Sequence, residues 1–215
     1  MAGLSVPRVQ GNVERVREEI AAAAERSARD PGEVELLAAV KYLPVEDIGA
    51  LLEAGVTTLG ENRAQQLQLK AEAWPEARWH FIGQLQSRKV KQILPHVELI
   101  HSVASDSALA QLERHGTPDT EILVEVNVAG EDAKAGIDPA ELDAFIARSP
   151  VRVVGLMGMP PFAEDPEASR PHFAALRELA AQHGLRHLSM GTSQDFAVAV
   201  EEGATIVRIG SVLFQ

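Results

Sequence analysis

Lys41 follows directly after a short apolar run, and this position favours Schiff-base chemistry at its amine. The run extends from Leu36 to Val40, follows the helix-ending segment Asp30-Pro31-Gly32, and is too short for a helix of its own. Such a run is typical of a strand buried on both faces in a parallel sheet. Burial at the end of this strand would disfavour a charged amine and make the lysine a nucleophile that can form a Schiff base. The alternative is a lysine that extends its amine to solvent at the rim.

Two later segments have the composition of an anion site. The predicted strand His187–Met190 leads through Gly191 and Ser193 into a short helix, and the predicted strand Thr205–Ile209 leads into Gly210-Ser211. Ser193 is expected to cap the helix, whose free N–H groups and dipole favour a negative charge. Plain helix capping explains either segment alone. Together they occupy the usual phosphate site of an α/β barrel.

Other polar residues have predicted structural roles. We interpret Glu61 as a charge at a helix start, Lys134 as a solvated loop charge, and His80 and His101 as hydrogen-bonded residues of the interior. Two aspartates, Asp138 and Asp195, are predicted helix caps. Small or polar residues end further predicted strands at Gly60-Glu61-Asn62, Gly83-Gln84, His101-Ser102 and Asn127.

Eight predicted strands alternate with helices along the chain. The remaining strands are Val56–Leu59, Trp79–Ile82, Glu98–Ile100, Ile122–Val126 and Val151–Met157. This alternation predicts an α/β fold, a (β/α)8 barrel of the triosephosphate isomerase type, as a single domain over residues 1–215. An extra N-terminal helix over about residues 12–29, capped by Gly11-Asn12, is expected to cover the outside of the barrel where an eighth helix is missing. The alternative architecture is an open, doubly wound sheet.

Composition narrows the class of protein. The 215 residues are enough for one sizeable core, and the net charge of −11 argues against a nucleic-acid surface. The absence of cysteine excludes disulfides, thiol catalysis and thiolate metal ligands, and no metal site is predicted. No apolar run approaches membrane-spanning length and no secretory signal pattern is present, so we expect a cytoplasmic protein without membrane contact.

Eight ordered segments resemble those of a known family. They are Ala39–Pro44, Gly60–Arg63, Trp79–Ser87, Ile100–Val103, Val126–Asn127, Gly155–Met157, Leu188–Phe196 and Val207–Gly210. Together they resemble the pyridoxal 5′-phosphate (PLP) homeostasis protein family, which is related to the barrel domain of bacterial alanine racemases. The resemblance extends from about residue 9 to the end. Val40, Gln84 and Thr192 depart from residues that are common in that family, but none of these changes removes a residue that the cofactor needs.

The resemblance implies a cofactor, PLP, and a set of residues around it. Lys41 would hold PLP as a Schiff base, Ser193 and the backbone near Gly210 and Ser211 would bind its phosphate, and Arg208 would face the pyridine nitrogen. An arginine stays protonated and disfavours the pyridinium form, so the ring is a weaker electron sink, as suits storage or racemase-type chemistry. The full implied set is Lys41, Asn62, Met190, Gly191, Ser193, Arg208, Gly210 and Ser211.

The function predicted on this basis is a monomeric PLP carrier in vitamin B6 homeostasis, with apo forms of PLP enzymes as candidate partners and no turnover of its own. The first alternative is a PLP-dependent amino-acid racemase, which needs a second acid or base opposite Lys41. Strand alternation would direct Tyr42, the only tyrosine, away from Lys41, although His80 or His101 could substitute for it. The second alternative is an aldolase in which Lys41 attacks a sugar-phosphate carbonyl.

Overall fold

A closed barrel of eight parallel strands forms the centre of the protein. The computed structural model describes residues 4–130 and 135–214, and in these residues the strands follow one another around the barrel in chain order. This confirms the (β/α)8 prediction and excludes the open sheet. The strands are β1 Glu35–Ala39, β2 Thr58–Glu61, β3 Arg78–Phe81, β4 Leu99–Val103, β5 Glu121–Glu125, β6 Arg152–Met157, β7 His187–Thr192 and β8 Ile206–Ile209.

Helices cover the outside of the strands. Short 3₁₀ turns precede several of them, for example Val45–Asp47 before α2 and Ser87–Lys89 before α4. Lys134 lies outside the described residues, so its predicted role as a loop charge stays a prediction. The helices are α1 Val6–Arg26, α2 Ile48–Glu53, α3 Ala64–Ala73, α4 Val90–Ile93, α5 Asp106–His115, α6 Leu142–Ala147, α7 Arg170–Gln182 and α8 Phe196–Glu201.

The N-terminal helix begins earlier than the sequence predicted. It starts at Val6, with Pro7 in the first turn, where a missing N–H leaves no hydrogen bond unmade. Asn12 is therefore inside the helix and does not cap it; its buried Nδ2 donates to the carbonyl of Leu213 at 3.1 Å. The predicted range of 12–29 was wrong at both ends, since the helix ends at Arg26. Its expected place is confirmed, because α1 packs against both α2 and α8.

Two hydrophobic layers stabilise the barrel. The larger layer lies between the strands and the helices. A smaller layer fills the barrel interior and consists of Leu37, Leu99, Leu123, Met157 and Ile206. No helix among the described residues is long and apolar enough to cross a membrane.

Barrel closure places the predicted site residues on neighbouring strands. Ala38 of β1 pairs with Ile209 of β8, and Ala39 pairs with Gly60 of β2. Strand β7 pairs in turn with β8. The carboxyl ends of β7, β8, β1 and β2 therefore lie side by side. We refer to this end of the barrel, where barrel active sites occur, as the mouth.

Candidate functional site

Lys41 lies at the mouth, in the turn that follows β1. Its side chain is exposed, and Nζ lies 4.6 Å from the centroid of the Tyr42 ring. The expectation of a buried amine was wrong, and so was the expectation that Tyr42 would point away. The first expectation rested on Lys41 ending a buried strand and the second on strand alternation, but β1 ends at Ala39, so neither residue belongs to the strand. The rim position, the alternative considered from the sequence, is the one that the structure has.

A buried ion pair stands behind the Lys41 turn. Lys70 Nζ of α3 lies 2.6 Å from Glu61 Oε2 and donates to the carbonyl of Val40 at 2.6 Å. The other carboxylate oxygen, Glu61 Oε1, accepts from the backbone N–H of Asn62 at 2.7 Å and of Arg63 at 3.1 Å. The predicted role of Glu61 as a helix-start charge was wrong, because α3 begins at Ala64 without an acidic residue in its first turn and Glu61 instead bonds the two residues before that helix. The ion pair also ties the residue before Lys41 to the residue before Asn62.

Asn62 offers unused hydrogen-bonding capacity at the end of β2. Its Oδ1 is buried and has no hydrogen-bond partner among residues 4–130 and 135–214. A buried amide without a partner is costly, so native proteins rarely retain one unless a ligand or water completes it. The side chain is therefore a candidate ligand contact.

The segments after β7 and β8 meet, as predicted for an anion site. Ser193 Oγ accepts from the backbone N–H of Gly210 at 3.1 Å, and Ser211 follows at the start of a 3₁₀ turn. A methyl group built on Gly210 would approach nothing more closely than Ala39, at 3.9 Å, so the backbone here faces open space. This contact brings the two halves of the predicted phosphate site together.

The predicted cap of α8 by Ser193 was wrong, because the helix begins at Phe196. Asp195 does occupy the N-cap position, as predicted, but its side chain makes no cap hydrogen bond. Instead Asp195 Oδ1 accepts from the N–H of Thr192 at 2.7 Å, and Oδ2 accepts from the hydroxyl of Ser169 at 2.9 Å. The carboxylate closes the turn that it follows. The other predicted cap is confirmed, because Asp138 Oδ1 accepts from the N–H of Ala140 at 2.8 Å.

Met190 and Gly191 have structural explanations in the fold. The Met190 side chain is fully buried in the layer between strands and helices, so only its backbone can reach the mouth. Gly191 has a φ of +87°, and a side-chain carbon there would lie 2.5 Å from Cβ of Ala199. A glycine is needed at this position for the turn and for packing against α8.

Arg208 crosses the barrel interior below the mouth and begins a hydrogen-bonded string. One guanidinium nitrogen donates to Ser189 Oγ at 2.5 Å, and another donates to the carbonyl of Gly158 at 3.2 Å. Ser189 Oγ lies 2.8 Å from His101 Nδ1, and His101 Nε2 lies 3.0 Å from His80 Nδ1. The predicted interior role of both histidines is confirmed. We call Arg208, Ser189, His101 and His80 the interior string.

Burial governs the ionisation of this string. Desolvation lowers the pKa of His80 to about 4 and holds the pKa of His101 well below its ordinary value. Desolvation also lowers the pKa of Arg208 to about 10, against the attraction of Glu125 and Asp195. At neutral pH the histidines are therefore uncharged and Arg208 is a cation. No salt bridge to Arg208 exists within the described residues, since Glu125 and Asp195 act on it only at longer range.

A cavity of about 380 Å³ opens beside Arg208. Its polar lining includes Glu125, whose pKa is raised by burial. Its apolar wall includes Met159 and Phe162 from the loop after β6, and both are exposed. The sequence analysis missed Glu125, Lys70 and Ser189. Glu125 and Ser189 share a detectable signal, a polar residue directly flanked by apolar residues within a predicted strand.

Comparisons with known proteins agree with this architecture. Residues 12–215 match the family model described as the N-terminal domain of alanine racemase. The chain is 43% identical over 215 residues to the pyridoxal phosphate homeostasis protein of Aquifex aeolicus, covering 93% of this chain and 94% of that protein. The chain belongs to the pyridoxal phosphate homeostasis protein family, as its motifs predicted.

Solved structures extend the comparison. A crystal structure of a Bifidobacterium adolescentis protein superposes with a TM-score of 0.89 at 33% identity, covering 97% of this chain and 95% of that one. The structure of PipY from Synechococcus elongatus with PLP bound has a TM-score of 0.76 at 33% identity, covering 91% of this chain and all of PipY. A fold of this type therefore binds PLP in at least one relative.

The residues at the mouth fit PLP. Its phosphate matches the open space beside Gly210 and the Ser193 hydroxyl, which accepts from the Gly210 N–H and keeps its own hydrogen to donate. Its aldehyde matches the exposed amine of Lys41. Its pyridine nitrogen is an acceptor, for which Arg208 has remaining N–H donors. Its ring hydroxyl matches the unpaired amide of Asn62. Each polar part of the cofactor has a complementary group on one of four adjacent strands or the loops that follow them.

Proposed function

We propose that this protein binds PLP at the barrel mouth and carries it in vitamin B6 homeostasis without turnover of its own. One observation supports this most strongly. The neighbouring ends of β7, β8, β1 and β2 bring together a serine, a glycine backbone and an exposed lysine. They also hold a buried cation that no carboxylate of residues 4–130 or 135–214 contacts, and an amide oxygen that none of these residues bonds. This is the complement of a phosphorylated pyridine aldehyde, and it leaves the lysine open to solvent.

Each residue has a proposed role. Lys41 joins PLP as a Schiff base, Ser193 with the backbone near Gly210 and Ser211 binds the phosphate, and Arg208 donates to the ring nitrogen. Asn62 contacts the ring, and Met190 and Gly191 contribute only backbone. Bound PLP supplies an electrophilic carbon and an electron-accepting ring. The exposure of Lys41 suits a carrier, because another amine can approach the same point from solvent.

The role of Lys41 is tested by replacing it with alanine. Lys41→Ala should abolish the visible absorption band of the PLP complex while the far-ultraviolet circular dichroism stays unchanged, since the side chain is exposed and supports no core contact. The matched control is Lys91→Ala, which removes an exposed lysine of α4 and should keep the band. A full band in Lys41→Ala would refute the assignment.

The phosphate site is tested by comparing two ligands. Ser193→Ala should weaken PLP binding by about 1–3 kcal/mol, the range for a hydrogen bond to a charged group. Pyridoxal lacks the phosphate, so its affinity should be unchanged in the same variant. Ser107→Ala, at an exposed position of α5, serves as the control. Equal losses for the two ligands would place the phosphate elsewhere.

The absence of turnover is tested with the loaded protein in deuterated water. Incubation with L-alanine and other amino acids should give no α-deuteration at enzyme rates. His80 and His101 are buried and hydrogen-bonded to one another, so neither is free to act as a second base. Deuterium incorporation with inversion at about 1 per second or faster would establish a racemase instead.

Delivery to apo forms of PLP enzymes, in the cytoplasm and by a monomer, completes the proposal. Tyr42, Met159 and Phe162 are large, exposed apolar side chains around the mouth, and such groups are common where proteins make contact. Replacing Phe162 with serine should slow reactivation of an apo-enzyme by the loaded protein and leave PLP affinity unchanged. Reactivation at the rate set by free PLP in both proteins would show that handover is not direct.

A further inference from the structure

The interior string connects the ligand-facing cation to two histidines deep in the barrel. All four side chains are buried: Arg208 is 5% exposed, His80 2%, and Ser189 and His101 are fully enclosed. They come from four different strands, β8, β7, β4 and β3. Three consecutive contacts of 2.5, 2.8 and 3.0 Å join them. A polar arrangement of this length inside a small barrel is costly unless each member is satisfied.

We propose that Ser189, His101 and His80 are positioning residues, which orient the guanidinium of Arg208 toward the ring nitrogen of PLP through one defined direction of hydrogen bonding. The inference rests on the proposed function, because Arg208 is taken as the contact to the ring. It adds three residues that do not themselves touch the cofactor.

The direction follows from counting hydrogens. Arg208 can only donate, so Ser189 Oγ accepts from it and keeps one hydrogen to give. That hydrogen goes to Nδ1 of His101, which then donates from Nε2 to Nδ1 of His80. Both histidines are thus neutral and carry their proton on Nε2. The opposite direction would leave two groups without partners among the described residues, the Ser189 hydroxyl hydrogen and Nε2 of His80. The proposed direction leaves only the Nε2–H of His80 without a partner among these residues.

The string fixes Arg208 without neutralising it. Ser189 and the Gly158 carbonyl hold two different guanidinium nitrogens, which sets the plane of the group. Both acceptors are uncharged, so the positive charge stays available to a ligand. A carboxylate at the position of Ser189 would hold Arg208 equally well but would pair with its charge.

The first test uses the protein without cofactor. Histidine-selective ¹⁵N labelling and NMR should show His80 and His101 as neutral, Nε2-protonated rings from pH 6 to pH 8. His80 acts on His101, and the other groups whose charges act on the two rings are Glu35, Arg78, Glu98, His187 and Arg208. A proton on Nδ1 of either ring, or an imidazolium at pH 7, would overturn the inference whether or not PLP binds.

The second test uses a cofactor analogue in which carbon replaces the ring nitrogen. Ser189→Ala should weaken PLP binding roughly 5- to 30-fold, the equivalent of one misplaced charge-assisted hydrogen bond. The analogue should bind wild type and variant equally, because it has no nitrogen to contact. Ser189→Thr keeps the hydroxyl and should restore most of the PLP affinity.

A matched control is available on β4, the strand that carries His101. Ser102 is also a buried serine, but its hydroxyl donates to the carbonyl of Gly83 and not to the interior string. Ser102→Ala should therefore leave the ratio of PLP to analogue affinity unchanged. Equal weakening of PLP and analogue by Ser189→Ala would mean that the string is only structural. If wild type bound no PLP, the proposed function itself would fail, and the NMR result would still decide the hydrogen-bond direction.

Discussion

Two buried polar groups support the mouth, and they balance charge in opposite ways. Outside the barrel wall, Lys70 and Glu61 form a contacting ion pair at 2.6 Å behind β1 and β2. Inside the barrel, Arg208 is held by the hydroxyl of Ser189 and by a carbonyl, with two neutral histidines beyond. The first group pairs its cation fully, whereas in the second no anion of the described part of the chain contacts the cation.

The difference shows which group is structural and which faces a ligand. In a contacting ion pair each charge neutralises the other, so neither Lys70 nor Glu61 is available to a ligand. The pair instead has a structural role: Lys70 holds the turn before Lys41. Glu61 holds the backbone at Asn62 and Arg63. A desolvated cation with neutral acceptors costs free energy in the empty protein, as the lowered pKa of Arg208 reflects. Such a destabilisation is tolerated at functional sites, where a bound ligand offsets it by interacting with the charge.

The largest expected effect comes from breaking the outer pair. Lys70→Met should lower the free energy of unfolding by roughly 3–5 kcal/mol, because it leaves a buried carboxylate alone. Adding Glu61→Gln to this variant should recover part of the loss, since the amide oxygen still accepts from the backbone. Urea denaturation measures both values, and the exposed Lys91→Met is the control. An equal or larger loss in the double variant would mean that the pair is not the cause.

The histidines of the interior string predict a specific pH dependence. With a folded pKa of about 4 and an ordinary value of 6.5, His80 is protonated more readily in the unfolded state. The contribution of the neutral His80 ring to the free energy of unfolding is complete above about pH 6.5. It is lost as pH falls toward 4, and the loss is roughly 2 kcal/mol at pH 5. The difference in unfolding free energy between wild type and His80→Gln should therefore shrink over this range. His115→Gln, at an exposed position, should show no such change.

Replacing the inner cation should cost less stability than breaking the outer pair. Arg208→Met removes two hydrogen bonds but also removes the desolvation of a charge that no carboxylate among the described residues contacts. The loss of unfolding free energy should therefore stay below about 2 kcal/mol. PLP affinity should fall in the same variant. A stability loss as large as that of Lys70→Met would contradict the distinction between the two groups.

The smallest expected effect concerns Glu125, at the cavity beside Arg208. Burial raises the pKa of its carboxyl, so the charged form destabilises the folded protein and stability is lost as pH rises through that pKa. Glu125→Gln should be slightly more stable than wild type at pH 8, by less than about 1 kcal/mol, and equal to it at pH 4. Glu113→Gln, on the exposed face of α5, is the control for thermal unfolding.

Features set by local sequence could be predicted, and features set by distant contacts could not. For example, the contact between Ser193 and Gly210 could be predicted, because two adjacent strands both end in small residues. The exposure of Lys41 did not follow, because β1 ends two residues earlier, where Lys70 holds the carbonyl of Val40 across 30 positions. That bond depends on the placement of α3 against β2, which the sequence pattern does not specify.

The interior string shows that contacts between different strands could not be predicted either. His80 and His101 were expected to be satisfied in the interior, but their partners depend on the register across the whole barrel. Ser189 lies 88 residues from His101, and only barrel closure brings the two together. The start of α1 was missed for a different reason, because Pro7 is compatible with a first turn and Gly11 is tolerated inside a long helix.

Borohydride reduction of the PLP complex, followed by peptide mass analysis, tests the central claim most directly. Reduction converts a Schiff base into a stable secondary amine and so marks the lysine that carried the cofactor. The account predicts one pyridoxyl group, on Lys41, at one equivalent of PLP. Modification of Lys70, Lys89, Lys91 or Lys134 with Lys41 unmodified would contradict it.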